Sequence, residues 1–186
     1  MLDLILIDHD KVGLSNLHRQ IQYTEKDIGK IKARVTAINL KKIDKRLKIK
    51  TYIQKLTKDN TSLLKGDLIL DCTDNLDVSF IINDYAKKHK IPWIFASCVS
   101  GRGQCLVIMN KTPCLKCILR KPTVKVNTCN EEGILNTIVS TMANVQVTEA
   151  IKILTKQKPC KDLICYNIWN HEVSKIKVKK KPSCCK

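Results

Sequence analysis

The sequence predicts an α/β fold, a doubly wound and mainly parallel sheet with an antiparallel part toward the C-terminus, and three observations carry that expectation. Short aliphatic runs alternate with stretches of helical spacing through the first hundred residues, the pattern of strand, helix and strand that builds a parallel sheet. Two of those runs close on acid clusters, Asp8-His-Asp10 and Asp71-Cys-Thr-Asp74, and open α/β sheets bind ligands at the carboxyl ends of their strands. After Gly101 the pattern changes to three strand-like runs around one long helix, which reads as antiparallel.

Taken in order, Leu4 to Ile7 is a buried strand ending in acids, Lys30 to Leu40 has helical spacing, and Lys48 to Ile53 is a short strand. Asp67 to Leu70 is a second buried strand, Val78 to His89 a helix, and Pro92 to Ser97 a third apolar strand. In the second half, Gln104 to Met109, Asp162 to Trp169 and Glu172 to Lys179 read as strands around a helix from Ile134 to Leu154. Ile138, Met142, Val145, Ala150 and Leu154 recur along that helix at the spacing of a core-facing stripe. No internal repeat or flexible linker interrupts the chain, so one domain over residues 1 to 186 is expected, with a tail over 178 to 186 that frays.

The chain has 186 residues, 44% hydrophobic and 27% charged, with 6 Gly and 5 Pro. A globule of this size buries roughly 70% of its extended-chain surface, and the composition excludes collagen-like and wholly disordered classes. The net charge is +17, carried by 29 Lys and only 5 Arg. Base-reading and bidentate phosphate clamps favour Arg, so a solvated lysine surface accounts for the excess and nucleic acid is not an expected partner. Met1 to Asp8 is too short and too acidic for a signal segment, and no run approaches a membrane span. A cytoplasmic chain without a membrane partner is expected, with its ten cysteines serving as thiols, metal ligands or nucleophiles.

Cys114-Leu-Lys-Cys117 has the tight spacing that brings two thiolates to one Zn²⁺, half of a tetrahedral site. Cys184 and Cys185, after Lys-Lys-Pro-Ser, are the expected source of the other half; structural thiols are the alternative. Cys129 stands alone in a polar segment before a helix, where amide N–H groups lower a thiol pKa, so it reads either as a nucleophile or as an inert loop cysteine. Cys72, Cys98, Cys105, Cys160 and Cys165 fall in apolar runs and are expected to pack as small hydrophobes. Asp8 and Asp10 could hold a ribose hydroxyl, and strand-end acids equally serve as helix caps. Asn16, Arg19 and Lys32 lie in one segment that could gather on a triphosphate, with Asp74 as a Mg²⁺ ligand. A carboxylate, Arg, Lys and a metal-binding acid are what adenylation of a carboxylate requires.

In order along the chain, Leu6-Ile-Asp-His-Asp10, Ser15-Asn-Leu-His-Arg-Gln20, Ile28-Gly-Lys-Ile-Lys-Ala33, Asp71-Cys-Thr-Asp-Asn75, Cys114-Leu-Lys-Cys117, Cys129 to Gly133 and Glu149-Ala-Ile-Lys152 resemble the MoeB/ThiF/HesA family. These are Rossmann-like adenylyltransferases related to ubiquitin-activating enzymes, and the resemblance covers essentially the whole chain. It implies that ATP adenylates the C-terminal Gly carboxylate of a ubiquitin-like sulfur carrier of the MoaD or ThiS kind, for cofactor biosynthesis or tRNA thiolation. It also implies a homodimer and a sulfurtransferase or cysteine desulfurase as a further partner.

By the same resemblance Asp8 is the ribose-binding acid, Asn16 and Arg19 the phosphate-contacting pair, Lys32 the phosphate lysine and Asp74 the magnesium-linked acid. Cys129 matches a cysteine that in some members links covalently to the carrier. Cys114, Cys117 and Cys184 match zinc ligands, the fourth falling beyond Lys186. Family members carry, ahead of Leu4, an arginine-bearing helix, a first strand and a Gly-rich phosphate loop, which this sequence lacks. Loss of that strand is expected to open sheet edges unless another chain supplies it. Two other classes follow from the same residues. One is a partner subunit of a split activating enzyme, or an inactive fragment; the other is a basic zinc protein binding nucleic acid in a salt-dependent way.

Overall fold

The short apolar runs become strands and the helical stripes helices in the computed structural model, which describes residues 3–119 and 133–181. The chain divides into two compact units, Met1–Leu63 and Leu64–Lys186. The strands form two sheets, one of order β1-β2 and one of order β3-β4-β5-β6-β7.

In the first unit, β1 (Asp3–Ile7) pairs in parallel with β2 (Lys48–Tyr52), Asp3 opposite Lys48 and Ile7 opposite Tyr52. Between them lie two 3-10 turns, Leu14–Asn16 and Glu25–Asp27, and helix α1 (Lys32–Ile43). The helix starts two residues later than its apolar spacing suggests because Ile31 is taken up in a bridge with Lys11. Val12, Tyr23 and Val35 form a small buried cluster with Leu17 against it, and the Tyr23 hydroxyl meets Thr36 Oγ1 at 2.9 Å.

The second unit opens with β3, only Ile69–Leu70 where four residues are expected. Pro92 opposite its start has no N–H to give a ladder, although its carbonyl accepts from Ile69 N at 3.1 Å. Helix α2 (Leu76–His89) begins at Leu76 because the Asn75 side chain accepts from the N–H groups of Asp77 and Val78. It ends on Lys90 in the left-handed conformation, φ 59°, with Lys87, Lys88 and His89 in the last turn. Strand β4 (Trp93–Val99) pairs in parallel with β3 and antiparallel with β5 (Arg102–Ile108). The short helix α3 (Leu115–Ile118) and the long α4 (Asn136–Leu154) follow. Strands β6 (Leu163–Asn167) and β7 (Glu172–Ile176) complete the sheet, both antiparallel to their neighbours. Among the described residues, three of the five strand pairings are therefore antiparallel.

The core of this unit is the contact of α4 with β4 and β5. Ile94, Cys105 and Val107 on the sheet meet Ile138, Met142 and Ala150 on the helix, while the alternation of β4 sends Trp93 and Phe95 to the opposite face, their rings edge to face at 6.2 Å. Gly103 lets the helix approach. A Cβ there would lie 2.4 Å from Met142 Cγ, 2.8 Å from its sulfur and 3.1 Å from Ile138 Cδ1, and both side chains are fully buried. No helix is long and apolar enough to cross a membrane among the described residues.

Gly103→Ala is expected to lower unfolding free energy by roughly 1–3 kcal/mol, the usual cost of overpacking, measured as a fall in the urea midpoint. Adding Met142→Ala should recover part of that loss, since the two changes share one space. Purely additive losses would show that the close approach does not depend on Gly103.

Candidate functional site

In the first unit the acids at the end of β1 are drawn into a turn. Asp8 Oδ1 accepts from the Asp10 N–H at 2.8 Å. Backbone bonds then tie this segment to the one before α1: Val12 N to Lys30 O at 2.8 Å, Gly29 N to Val12 O at 2.8 Å and Lys32 N to Asp10 O at 2.9 Å. Gly29 makes the return with φ +83°, a conformation that favours glycine. The result places the Lys32 ammonium 3.3 Å from Asp10 Oδ2, with the lysine side chain only 12% exposed. Asp8, Asp10 and Lys32 are thus brought together, and His9 Nε2 lies 3.5 Å from the other Asp10 oxygen.

Asn16 and Arg19 belong to the same unit and make local bonds. Asn16 Oδ1 accepts from Gly13 N at 3.0 Å, and Arg19 donates to the Ser15 carbonyl at 2.8 Å. Both residues are half-buried.

In the second unit, the loop from Asp71 to Asn75 is built by its own side chains. Asp71 is 1% exposed; its Oδ1 accepts from Thr73 N at 3.0 Å and from the Thr73 hydroxyl at 2.8 Å. Burial pushes the Asp71 carboxyl above the ordinary range, opposed by hydrogen bonds from Ser79 and Thr73. Asn75 caps α2, and Asp74 between them is exposed. The expectation that Cys72 packs as a small hydrophobe fails, because the residue is exposed where β3 has already ended. Its sulfur nevertheless turns toward Gln146 Oε1 at 4.0 Å, where loss of water and the Asp71 charge push the thiol up to about 11. Cys105 does pack in the core, and there burial, then the Glu149 carboxylate, push its thiol up to about 12.

Cys114 and Cys117 are both buried, 0% and 6% exposed, with sulfurs 3.9 Å apart. Two thiolates on one tetrahedral Zn²⁺ at about 2.3 Å sit about 3.8 Å apart, so this pair fits half of such a site. The turn is fastened from α2: Asn83 Oδ1 accepts from Leu115 N at 2.9 Å, and Lys87 donates to the carbonyl of Asn110 at 3.0 Å and to those of Met109 and Thr112 at 3.4 Å. Lys177 to Lys181 carry no regular structure, yet the Lys181 N–H donates to Cys117 Sγ at 3.3 Å. Cys129, Cys184 and Cys185 lie outside the described residues.

Residue-type reasoning missed Asn83, Lys87, Glu149 and Gln146. Glu149, 3% exposed, accepts from Cys160 N at 2.7 Å and pairs with Lys152. For Gln146 and Glu149 the available signal was a polar residue recurring within the apolar stripe of α4.

A ThiF family profile matches residues 2–186. The chain belongs to the ThiF family. This ThiF-family chain is 33% identical to a Bacillus subtilis sulfur carrier protein ThiS adenylyltransferase, over 92% of this chain and 53% of that protein. It is 29% identical to a Thermus thermophilus sulfur carrier protein adenylyltransferase, over 96% of this chain and 70% of that one. It spans about half the length of the Bacillus relative. The fold is similar to that of Escherichia coli MccB, solved with MccA-N7isoASN, at TM-score 0.87 and 19% identity, covering 99% of this chain and 60% of that one.

Because Asp71 carries a raised pKa in the folded ThiF-family chain, the folded state holds its proton more tightly than the unfolded state, and stability falls as pH rises through that window. The unfolding free energy of Asp71→Asn minus that of the parent is expected to grow as pH climbs above the ordinary carboxylate range, at about pH 4. Parallel melting curves across that range would show that Asp71 does not titrate differently on folding.

Proposed function

We propose that this ThiF-family chain takes part in ATP-dependent adenylation of the terminal carboxylate of a ubiquitin-like sulfur carrier. The observation that carries the reading is the family match over residues 2–186, running through every motif quoted above. In the reaction a carboxylate oxygen attacks the α-phosphorus of ATP, the bond to the β-phosphate breaks, and pyrophosphate departs with the displaced electron pair.

In the first unit, Lys32 supplies positive charge to the phosphates, its stem packed and its ammonium held by Asp10 so that it needs little ordering when nucleotide binds. Arg19 and Asn16 contribute further donors to phosphate, and Asp8 accepts from the ribose. In the second unit, Asp74 is the acid that holds Mg²⁺, an ion that neutralises phosphate charge when bound. The buried pair Cys114 and Cys117, with Cys184, holds a structural Zn²⁺. Cys129 is the thiol for a covalent adduct with the carrier, and the working enzyme is a dimer served by a sulfurtransferase or cysteine desulfurase. Both units form one adenylation domain in this reading, which the single family match across them supports.

Carrier-dependent ATP–pyrophosphate exchange tests the activity. Lys32→Ala is expected to cost about 10²–10³ in kcat, as loss of one charge-stabilising donor does, and Asp74→Ala to abolish exchange. Normal exchange in Asp74→Ala removes its role toward magnesium. Exchange seen only after adding a second subunit replaces the reading with that of a split activator. Cys129→Ala should leave exchange intact and eliminate a thiol-sensitive carrier adduct; adducts that persist assign that thiol elsewhere.

Zinc content is a separate matter. The purified chain should hold about one zinc ion, and Cys114→Ser with Cys117→Ser should lose it together with thermal stability. Equal zinc in parent and variant removes the metal assignment.

A further inference from the structure

The long helix α4 buries one amide side chain among its apolar residues. Gln146 is 5% exposed, in a stripe with Ile138, Met142 and Ala150. Its Nε2 donates both protons, to the Asp71 carbonyl at 2.9 Å and to the Ile94 carbonyl at 2.9 Å. These two carbonyls mark the point where β3 leaves the sheet. The β3–β4 ladder ends at Leu70 opposite Ile94, and Asp71 N gives the last bond, to Ile94 O at 3.0 Å. Beyond it β4 continues with β5 alone. Asp71 O, pointing into the protein, would then lack a partner, a loss that costs far more than a made hydrogen bond gains. Ile94 O accepts twice, as a carbonyl with two lone pairs can.

We infer that Gln146 is a positioning residue, holding the backbone at Asp71 so that the loop presents Asp74 in a fixed place. The inference rests on the activity proposed above for its functional consequence. The chain of contacts is short. Gln146 fixes the Asp71 carbonyl; the Asp71 carboxylate fixes Thr73 through its N–H and hydroxyl; and Asn75 fixes the first turn of α2. Asp74 lies between two anchored residues, and the only anchor reaching this loop from α4 through backbone carbonyls is Gln146 among the described residues.

The test uses Gln146→Met, which keeps the length of the side chain and removes both donors, with Met142→Ala as a control that weakens the same helix without touching the clasp. Deuterium uptake by the amides of residues 71 to 78 is expected to rise about tenfold in Gln146→Met while the β5 amides keep the parent rate. In pyrophosphate exchange, the Mg²⁺ concentration at half-maximal rate is expected to rise about tenfold, with KM for the carrier unchanged. Met142→Ala should lower the melting temperature and do neither. Unchanged uptake at 71 to 78, equal loosening in both variants, or an unmoved Mg²⁺ requirement beside a loosened loop each overturns the inference. A parent chain without exchange under any condition defeats the proposed activity instead, and the uptake comparison then still decides whether Gln146 holds the loop.

Discussion

The second unit depends on how closely α4 lies against the β4–β5 hairpin. At Gly103 there is no Cβ to hold the helix off, and Met142 and Ile138 occupy the space. Dispersion in such a contact falls steeply with small gaps, so the helix is fixed in both distance and rotation. Beyond Met142 the same face of the helix carries polar side chains that bond to backbone. One turn on, Gln146 reaches the ends of β3 and β4. Another turn brings Glu149 to the N–H of Cys160 and Ala150 into the core. A buried amide and a buried carboxylate are costly when unsatisfied, and each here has its partners.

The first unit solves a different problem with less apolar material. Its buried cluster is small, and much of its order comes from backbone bonds between the segments around Val12 and Lys30. Those bonds explain why Lys32 differs from the other lysines. Most of the excess charge lies on long, solvated side chains, where a single ion pair contributes little. Lys32 starts α1, its side chain is 12% exposed, and a carboxylate stands 3.3 Å from its ammonium. Its rotamer freedom is already spent on folding, so the charge is available at a defined place.

Strands and helices were legible because their periodicity is written in the residues that pack: the helix from Ile134 to Leu154 differs from α4 by only two residues at its start. Boundaries were less legible, since they depend on distant partners. Ile134 leaves the helix because it bridges Ser100, and β3 is short because Pro92 faces its start. The association of Asp8, Asp10 and Lys32 follows from motifs that sequence order places together. Asn83 and Lys87 were not legible, because their role is to bond backbone groups of a turn far along the chain. Cys72 misled for the opposite reason: it follows closely on the apolar run Leu68 to Leu70, but the strand ends before it and its sulfur, rather than the whole residue, faces inward.

The motif Asp71-Cys-Thr-Asp-Asn75 shows why so short a run can be diagnostic. Asp71 and Thr73 bond to each other, and Asn75 starts a helix. Asp74 is the acid left facing outward. Most of the motif is scaffold, and a scaffold of bonded polar groups tolerates few alternatives, because replacing one partner strands the other. The same holds for Glu149-Ala-Ile-Lys152, in which Glu149 and Lys152 pair while Glu149 secures the segment after the helix. Such residues are bonded partners within the scaffold rather than reacting groups. They mark the physical cost of keeping an exposed acid in one position, and that cost is met by buried bonds several residues away from it.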